Sequence, residues 1–328
     1  MDSQKEPLGR TLDPEAAALS RALRKPLPEI PCKYLYDELG STLYEQITHE
    51  PEYYQTRTEL RILEACADHI AQTLSPREYV ELGSGSGRKT HLLLDALKDH
   101  GLEKVALLDI SRETLNDSVA RLRADYPGLT IRGLVSDFLE DLSIMGLGHT
   151  STVAEPGGRL VTFLAGTIGN LHPSQVAPFL TRAARQLQRG DAMLVGIDLI
   201  KDPARLEAAY NDAAGVTAAF NTNILSVLND RFGTDFPVEH FEHRAFYDAE
   251  NAWIDIRLRA TRACRVRSER LGIDKRFEPD SEIRTELSCK YSRESFGRAV
   301  EGTGLEMQDV FTDEEDLFAD VLLVPRAS

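Results

Sequence analysis

The stretch VELGSGSGRKT, residues 80–90, constrains the fold more than any other. A short apolar run ends in Gly83 and Gly85, and a helix-forming sequence begins at residue 90. Glycine lacks a Cβ, so such a turn adopts conformations closed to other residues and lets the backbone touch a ligand. The pattern continues downstream. The runs VALLDI, TIRGLVSD, RLVTFLAG and AMLVGIDL alternate with helical stretches at 90–99, 112–125 and 173–189, as a parallel sheet wrapped by helices requires. The expected fold class is α/β, with a doubly wound sheet.

After Asp198 the alternation stops. A long helical region, DPARLEAAYNDAAGVTAAFNTNILSVLNDRFG, and then strand-like HRAFYDAENAWIDIRLRATRACRVR predict an inserted second α+β domain. Near the C-terminus LEMQDVFTDEEDLFADVLLVP offers two strands about an acidic connection, and the simplest packing returns them to the edge of the first sheet. Upstream, 13–24 and 40–72 read as helices interrupted at Pro51. The resulting division is 65–198 plus 289–328 for the sheet domain, and 1–64 plus 199–288 for the second.

The glycine turn misses a nucleoside-triphosphate loop by one residue, because Arg88 stands where that pattern needs glycine. A nicotinamide-dinucleotide turn also wants glycine at that position. Both stay open as alternatives, the first with Asp198 as a magnesium-binding position. Asp109 lies 24 positions past Gly85, where an acid can grip ribose hydroxyls. Glu81, Asp109 and Asp137 fall at the C-terminal ends of three successive candidate strands, where open α/β sheets bind ligands. Three carboxylates repel a pyrophosphate and suit a cationic nucleoside.

Composition narrows the partners. A net charge of −15 opposes binding to nucleic-acid phosphates. Apolar runs are strand-length, well short of the roughly 20 residues of a membrane helix, and residues 1–25 lack the features of a signal or transit peptide. A cytoplasmic monomer is expected, with no membrane partner. Cys32, Cys66, Cys264 and Cys289 are too scattered for a zinc site or a disulfide framework and read as buried thiols. No metal is expected, at the pair His240 and His243 or elsewhere.

The set formed by the acid-x-G-x-G-x-G turn, Asp109 and the Asp137-Phe138 pair resembles the class I methyltransferases, over about 120 residues. The resemblance implies a Rossmann-like sheet that binds S-adenosyl-L-methionine through Glu81, Gly83, Gly85, Lys89, Asp109, Asp137 and Phe138, with Tyr36 nearby. It puts Asp109 at the ribose and Asp137 with Phe138 near the adenine.

YLYDELGSTLYEQITHEPEYYQTRTEL, GTIGNL, AAYNDAAGVTAAFNTNIL and RTELSCKY further resemble the histidine Nα-methyltransferases of ergothioneine biosynthesis, from about 25 to 325. These form the trimethylated betaine hercynine. By that resemblance Tyr53, Asn170 and Tyr210 surround the amino-acid substrate's carboxylate and amine, and Tyr36 and Phe220 wall the site. Tyr36, Tyr53 and Asn170 are the residues expected at the reacting amine. Glu286 and Ser288 share one face of a strand. A carboxylate that accepts and a hydroxyl that donates can read the two nitrogens of a neutral imidazole. Two departures bear on specificity: Ile256 stands where the family commonly has methionine against the ring, and Ala165 where it often has glycine. Methylation of another amino acid or a tryptophan-derived amine is the runner-up, and a non-catalytic S-adenosylmethionine-binding partner the alternative of another class.

Overall fold

The computed structural model describes residues 13–85, 87–139, 142 and 158–327. Residues 1–12 and, within the motifs quoted above, Ser86 lie outside the described residues.

The main sheet contains β1 (Glu78–Leu82), β2 (Lys104–Asp109), β3 (Thr130–Val135), β4 (Arg159–Phe163) and β5 (Ala192–Asp198) in parallel. β1, β4 and β5 are buried at every position, the reason these strands read as unbroken apolar runs. The second sheet holds β6 (Phe241–Asp248), β7 (Trp253–Ala260) and β10 (Glu282–Cys289), all antiparallel, while β8 (Cys264–Ser268) and β9 (Ile273–Phe277) make a separate hairpin. β11 (Leu305–Thr312) and β12 (Phe318–Pro325) return to the main sheet, β12 lying antiparallel on β5. The seven-stranded order is β11-β12-β5-β4-β1-β2-β3. Order reverses at β1, flanked by β2 and β4, so the ends of β1 and β4 frame the crevice where such sheets bind ligands.

The helices are α1 (Pro14–Leu23), α2 (Glu38–Ile47), α3 (Gln55–Leu74), α4 (Arg88–Leu97), α5 (Arg112–Asp125), α6 (Pro173–Ala184), α7 (Pro203–Ala208), α8 (Val216–Phe232) and α9 (Arg293–Val300). α3 runs unbroken across the 64/65 division drawn from the sequence, and its apolar stripe of Ile62, Leu63, Cys66 and Ile70 is buried in the core that includes Tyr79, Leu93 and Leu322. The helical region after Asp198 is two helices, not one. Asp212 explains the break: its carboxylate accepts from the N–H groups of Val216 and Thr217 at 2.7 and 2.8 Å, starting α8 anew, and Gly215 takes φ +75° before it.

A second core joins α1, α2 and α8 to β6, β7 and β10. This layer reaches the main sheet at the cleft. Lys33 pairs with Asp137 at 3.2 Å, and Glu45 of α2 pairs with Arg88 at 2.6 Å.

Candidate active site

The glycine turn is built from three left-handed residues, Gly83, Gly85 and Gly87, at φ +78°, +48° and +78°. A side chain at any of them would be strained. Asp109, at the end of β2, accepts from Gly85 N–H at 3.1 Å and from Ser111 N–H at 2.9 Å, so it braces the turn while facing the cleft. Burial raises its pKa despite those N–H donors. Glu81 is buried in β1 and accepts from Thr90 Oγ1 at 2.5 Å. Burial pushes its carboxyl up to about 7 although Thr90 and Tyr79 hydrogen-bond the charged form. Arg88 is the first residue of α4 and is exposed, turned to Glu45 and His49 and away from the turn. Its guanidinium is therefore not turned toward a phosphate at the turn.

Between the two layers lies a cavity whose space, counted out into open solvent, is about 630 Å³. The sequence-derived residues Tyr36, Tyr53, Asn170, Tyr210, Phe220, Ile256, Glu286 and Ser288 all line it, as does Ala165. Each comes from a different local cause. Tyr36 closes the 3₁₀ turn Cys32–Leu35, and Tyr53 sits in the bend before α3. Asn170 ends the 3₁₀ turn Thr167–Asn170 after β4, which is preceded by Ala165 and Gly166, both at positive φ (+63° and +66°). Tyr210 lies in the break between α7 and α8, and Phe220 one turn into α8. Ile256 and Glu286 are direct cross-strand partners on β7 and β10.

The aromatic wall is continuous. Ring centroids run Phe220 to Tyr36 at 5.6 Å, Tyr36 to Tyr44 at 5.7 Å, Tyr44 to Tyr53 at 6.4 Å and Tyr53 to Tyr210 at 6.4 Å, mostly edge to face. Burial, reinforced for Tyr36 by Glu286 and for Tyr53 by Tyr44, holds both phenols well above their usual pKa. They stay protonated at neutral pH, which makes them donors and walls and not bases. Burial also pushes Glu286 up to about 7, against the pull of Lys290 and a hydrogen bond with Asn170.

Sequence reasoning missed four contributors. Tyr44 and Asn221 line the cavity from the helices α2 and α8, where nothing in their spacing separates them from ordinary helical residues. Asp198 and Lys290 lie behind it. Lys290 is fully buried and reaches Asp198 at 2.7 Å, Ser288 Oγ at 2.7 Å and Tyr210 Oη at 2.8 Å. Lys201 reaches the other oxygen of Asp198 at 2.5 Å, and Tyr54 donates to the same carboxylate at 2.8 Å. Burial works against the charge of Asp198, but Lys290 and Lys201 outweigh it and hold its pKa below the usual range. The available signal for Lys290 was its spacing: it extends the alternation of Glu286 and Ser288 by two more residues.

A family described as "Histidine-specific methyltransferase, SAM-dependent" matches residues 15–325. A histidine N-alpha-methyltransferase of Mycolicibacterium smegmatis is 40% identical over 306 residues, covering 92% of this chain and 93% of that one. The chain belongs to this family. It is an S-adenosylmethionine-dependent N-methyltransferase with the class I α/β sheet. An ergothioneine biosynthesis protein of Neurospora crassa is 32% identical over 92% of this chain, which spans 34% of that larger protein. Among solved structures, an S-adenosylmethionine-dependent methyltransferase from Clostridium acetobutylicum is similar at 13% identity and TM-score 0.45, covering 88% of this chain and 97% of that one.

The turn of this family member fits the nucleoside. Ser84 Oγ is buried in the glycine turn with no hydrogen-bond partner among the described residues, an unmet polar group that a ligand there can satisfy. The ring of Phe138 lies 3.5 Å from where a Cβ on Gly83 would stand, so it covers the turn at the end where the adenine is expected. Lys89, expected at the cofactor, is paired with the fully buried carboxylate of Glu59. Glu59 in turn accepts from Ala165 N–H at 2.8 Å, tying the glycine turn to the cavity wall.

The thiols differ in part from expectation, since Cys66 and Cys289 are buried but Cys32 and Cys264 are only half-buried; all four are free. His243 is engaged by Asn221 and by the Tyr210 carbonyl, at 2.9 and 2.8 Å. Among the described residues, no group of three or more His, Cys, Asp or Glu side chains is placed to hold a metal ion, and no helix is long and apolar enough to cross a membrane.

Proposed function

We propose that this protein methylates the α-amine of L-histidine three times, forming hercynine, and that Glu286 with Ser288 selects the imidazole. The observation that carries this reading is their shared position on one face of β10, in a cavity otherwise walled by tyrosines and Ile256. S-adenosyl-L-methionine supplies, when bound, a methyl carbon activated by a sulfonium. Glu81, Gly83, Gly85, Lys89, Asp109, Asp137 and Phe138 hold it on the sheet side of the cleft, with Tyr36 between cofactor and substrate. Tyr53, Asn170 and Tyr210 orient the amino-acid end so that the neutral amine lies in line with that carbon. Positioning of this kind contributes up to roughly 7–11 kcal/mol to such a transfer.

No acid–base group needs to act at the transferred methyl itself. Tyr36 and Tyr53 are too weakly acidic to exist as phenolates, so neither takes the amine's proton, which passes to solvent or to a water held by Tyr36. Each added methyl moves the nitrogen toward a permanent cation, which an aromatic face of the tyrosine wall can accommodate.

The test is incubation of purified protein with S-adenosyl-L-methionine and a panel of free amino acids, read by mass spectrometry. Mono-, di- and trimethylated histidine is the expected outcome. Methylation of tryptophan or another member in place of histidine, or cofactor binding without turnover of any member, would overturn the reading.

A further inference from the structure

Proton counting around Lys290 shows that one hydroxyl must point into the cavity as a donor. An ammonium only donates, and Lys290 gives its three hydrogens to Asp198, Ser288 Oγ and Tyr210 Oη at 2.7, 2.7 and 2.8 Å. Ser288 and Tyr210 are themselves bonded at 2.7 Å, which uses one of their two hydroxyl protons. Gln55 Nε2 donates weakly to Tyr210 Oη at 3.4 Å, and the neighbouring Asp198 carboxylate at 3.5 Å orients that amide with its nitrogen inward. Tyr210 therefore receives from Lys290 and Gln55 and gives its proton to Ser288. Both acceptor sites of Ser288 are then filled, by Lys290 and Tyr210. The Ser288 proton has one open direction left, the cavity that Ser288 lines.

We infer that Lys290 is a specificity-determining positioning residue: through Ser288 it fixes one point of the cavity as a hydrogen-bond donor that cannot turn into an acceptor. This deepens the histidine reading and rests on it. With Glu286 accepting at the other position, the site demands a side chain that carries one acceptor and one donor. A neutral imidazole meets that demand. An imidazolium has two donors and is refused at Ser288, while an indole or a pyrrole has no acceptor to offer. A mobile serine beside an apolar residue would impose no such rule, since its hydroxyl could rotate to accept.

Lys290→Met is a tolerable change electrostatically. Lys290 and Lys201 share the single carboxylate of Asp198, so its removal leaves Asp198 and Lys201 as a matched pair. The competing effect, a further rise in the pKa of Glu286 when the nearby Lys290 is lost, is independent of Ser288.

The experiment compares kcat/KM for histidine with that for 3-(pyrrol-2-yl)alanine, a ring of the same size without the accepting nitrogen. It uses the unaltered protein, Lys290→Met, Ser288→Ala and the double variant, with S-adenosyl-L-methionine affinity and thermal unfolding as folding controls. Lys290→Met is expected to reduce the preference for histidine roughly tenfold or more, mainly through KM. In the Ser288→Ala background the same change should alter the preference little. An unchanged preference in Lys290→Met, or an equal further loss in the double variant, would overturn the inference. Should Lys290→Met not fold, the unaltered protein still decides. Histidine affinity should fall relative to the pyrrole analogue as pH drops below the imidazole pKa of about 6.5, and equal or tighter binding of the imidazolium form would contradict a fixed donor. Failure of the unaltered protein to methylate histidine at all would count against the proposed function alone.

Discussion

At the residue scale, Glu286 links recognition to pH. Its folded pKa of about 7 lies above the ordinary 4.5, so between those values the folded state holds more protons than the unfolded one. Stability therefore falls as pH rises through that window, and the full cost is present above about pH 7. Glu286→Gln should stabilise the protein at pH 8, by about 1–3 kcal/mol, and leave it nearly unchanged at pH 4, as thermal unfolding at the two pH values would show. The same substitution should lower kcat/KM for histidine by roughly a hundredfold with little change in S-adenosyl-L-methionine affinity, and remove the rise in histidine use through pH 7. Ala165 offers a second test at this scale. It holds φ +63° in the cavity wall, a conformation that costs a residue with a Cβ about 1 kcal/mol. Ala165→Gly should stabilise by about 0.5–1 kcal/mol net of the glycine's greater unfolded freedom, measured by denaturant titration, with catalysis retained.

At the element scale, the break between α7 and α8 carries Tyr210 into the cavity, and Asp212 makes that break. Asp212→Ala should cost about 1–2 kcal/mol through loss of the cap and raise KM for the amino acid more than that for the cofactor. Two-substrate kinetics and urea unfolding would detect the difference, and equal effects on both substrates would argue against this role. The break was not legible in the sequence, because alanine-rich flanks on both sides carry the same helical propensity and one capping aspartate is easily absorbed into a continuous pattern. β1, β4 and β5 of the main sheet were legible for the opposite reason: burial on both faces writes each as an apolar run. Glu286 and Ser288 were legible through the resemblance that RTELSCKY carries, to which their spacing of two added a shared strand face, and Lys290 continued that spacing unread. Tyr44 and Asn221 were beyond reach, since a helix face does not announce which of its polar residues borders a cavity.

At the scale of the whole molecule, two cores meet across one cleft, and the contacts between them converge on the ligand sites. Lys33 with Asp137 and Glu45 with Arg88 join the second layer to the end of β3 and the start of α4, while Asp198 at the end of β5 anchors Lys290 beneath the amino-acid cavity. The two halves of the cleft should thus be separable by mutation. Asp109→Ala is expected to weaken S-adenosyl-L-methionine binding at least tenfold with a smaller effect on histidine, the mirror image of Glu286→Gln, as calorimetric titration with each ligand would show. The central claim is that one cavity reads a neutral imidazole while the glycine turn holds the nucleoside. The most direct measurement is a crystal structure with S-adenosyl-L-homocysteine and histidine bound together. The account predicts the nucleoside over Gly83 and Gly85 with its ribose at Asp109, and the imidazole spanning Glu286 and Ser288; histidine bound with its ring away from both side chains would contradict it.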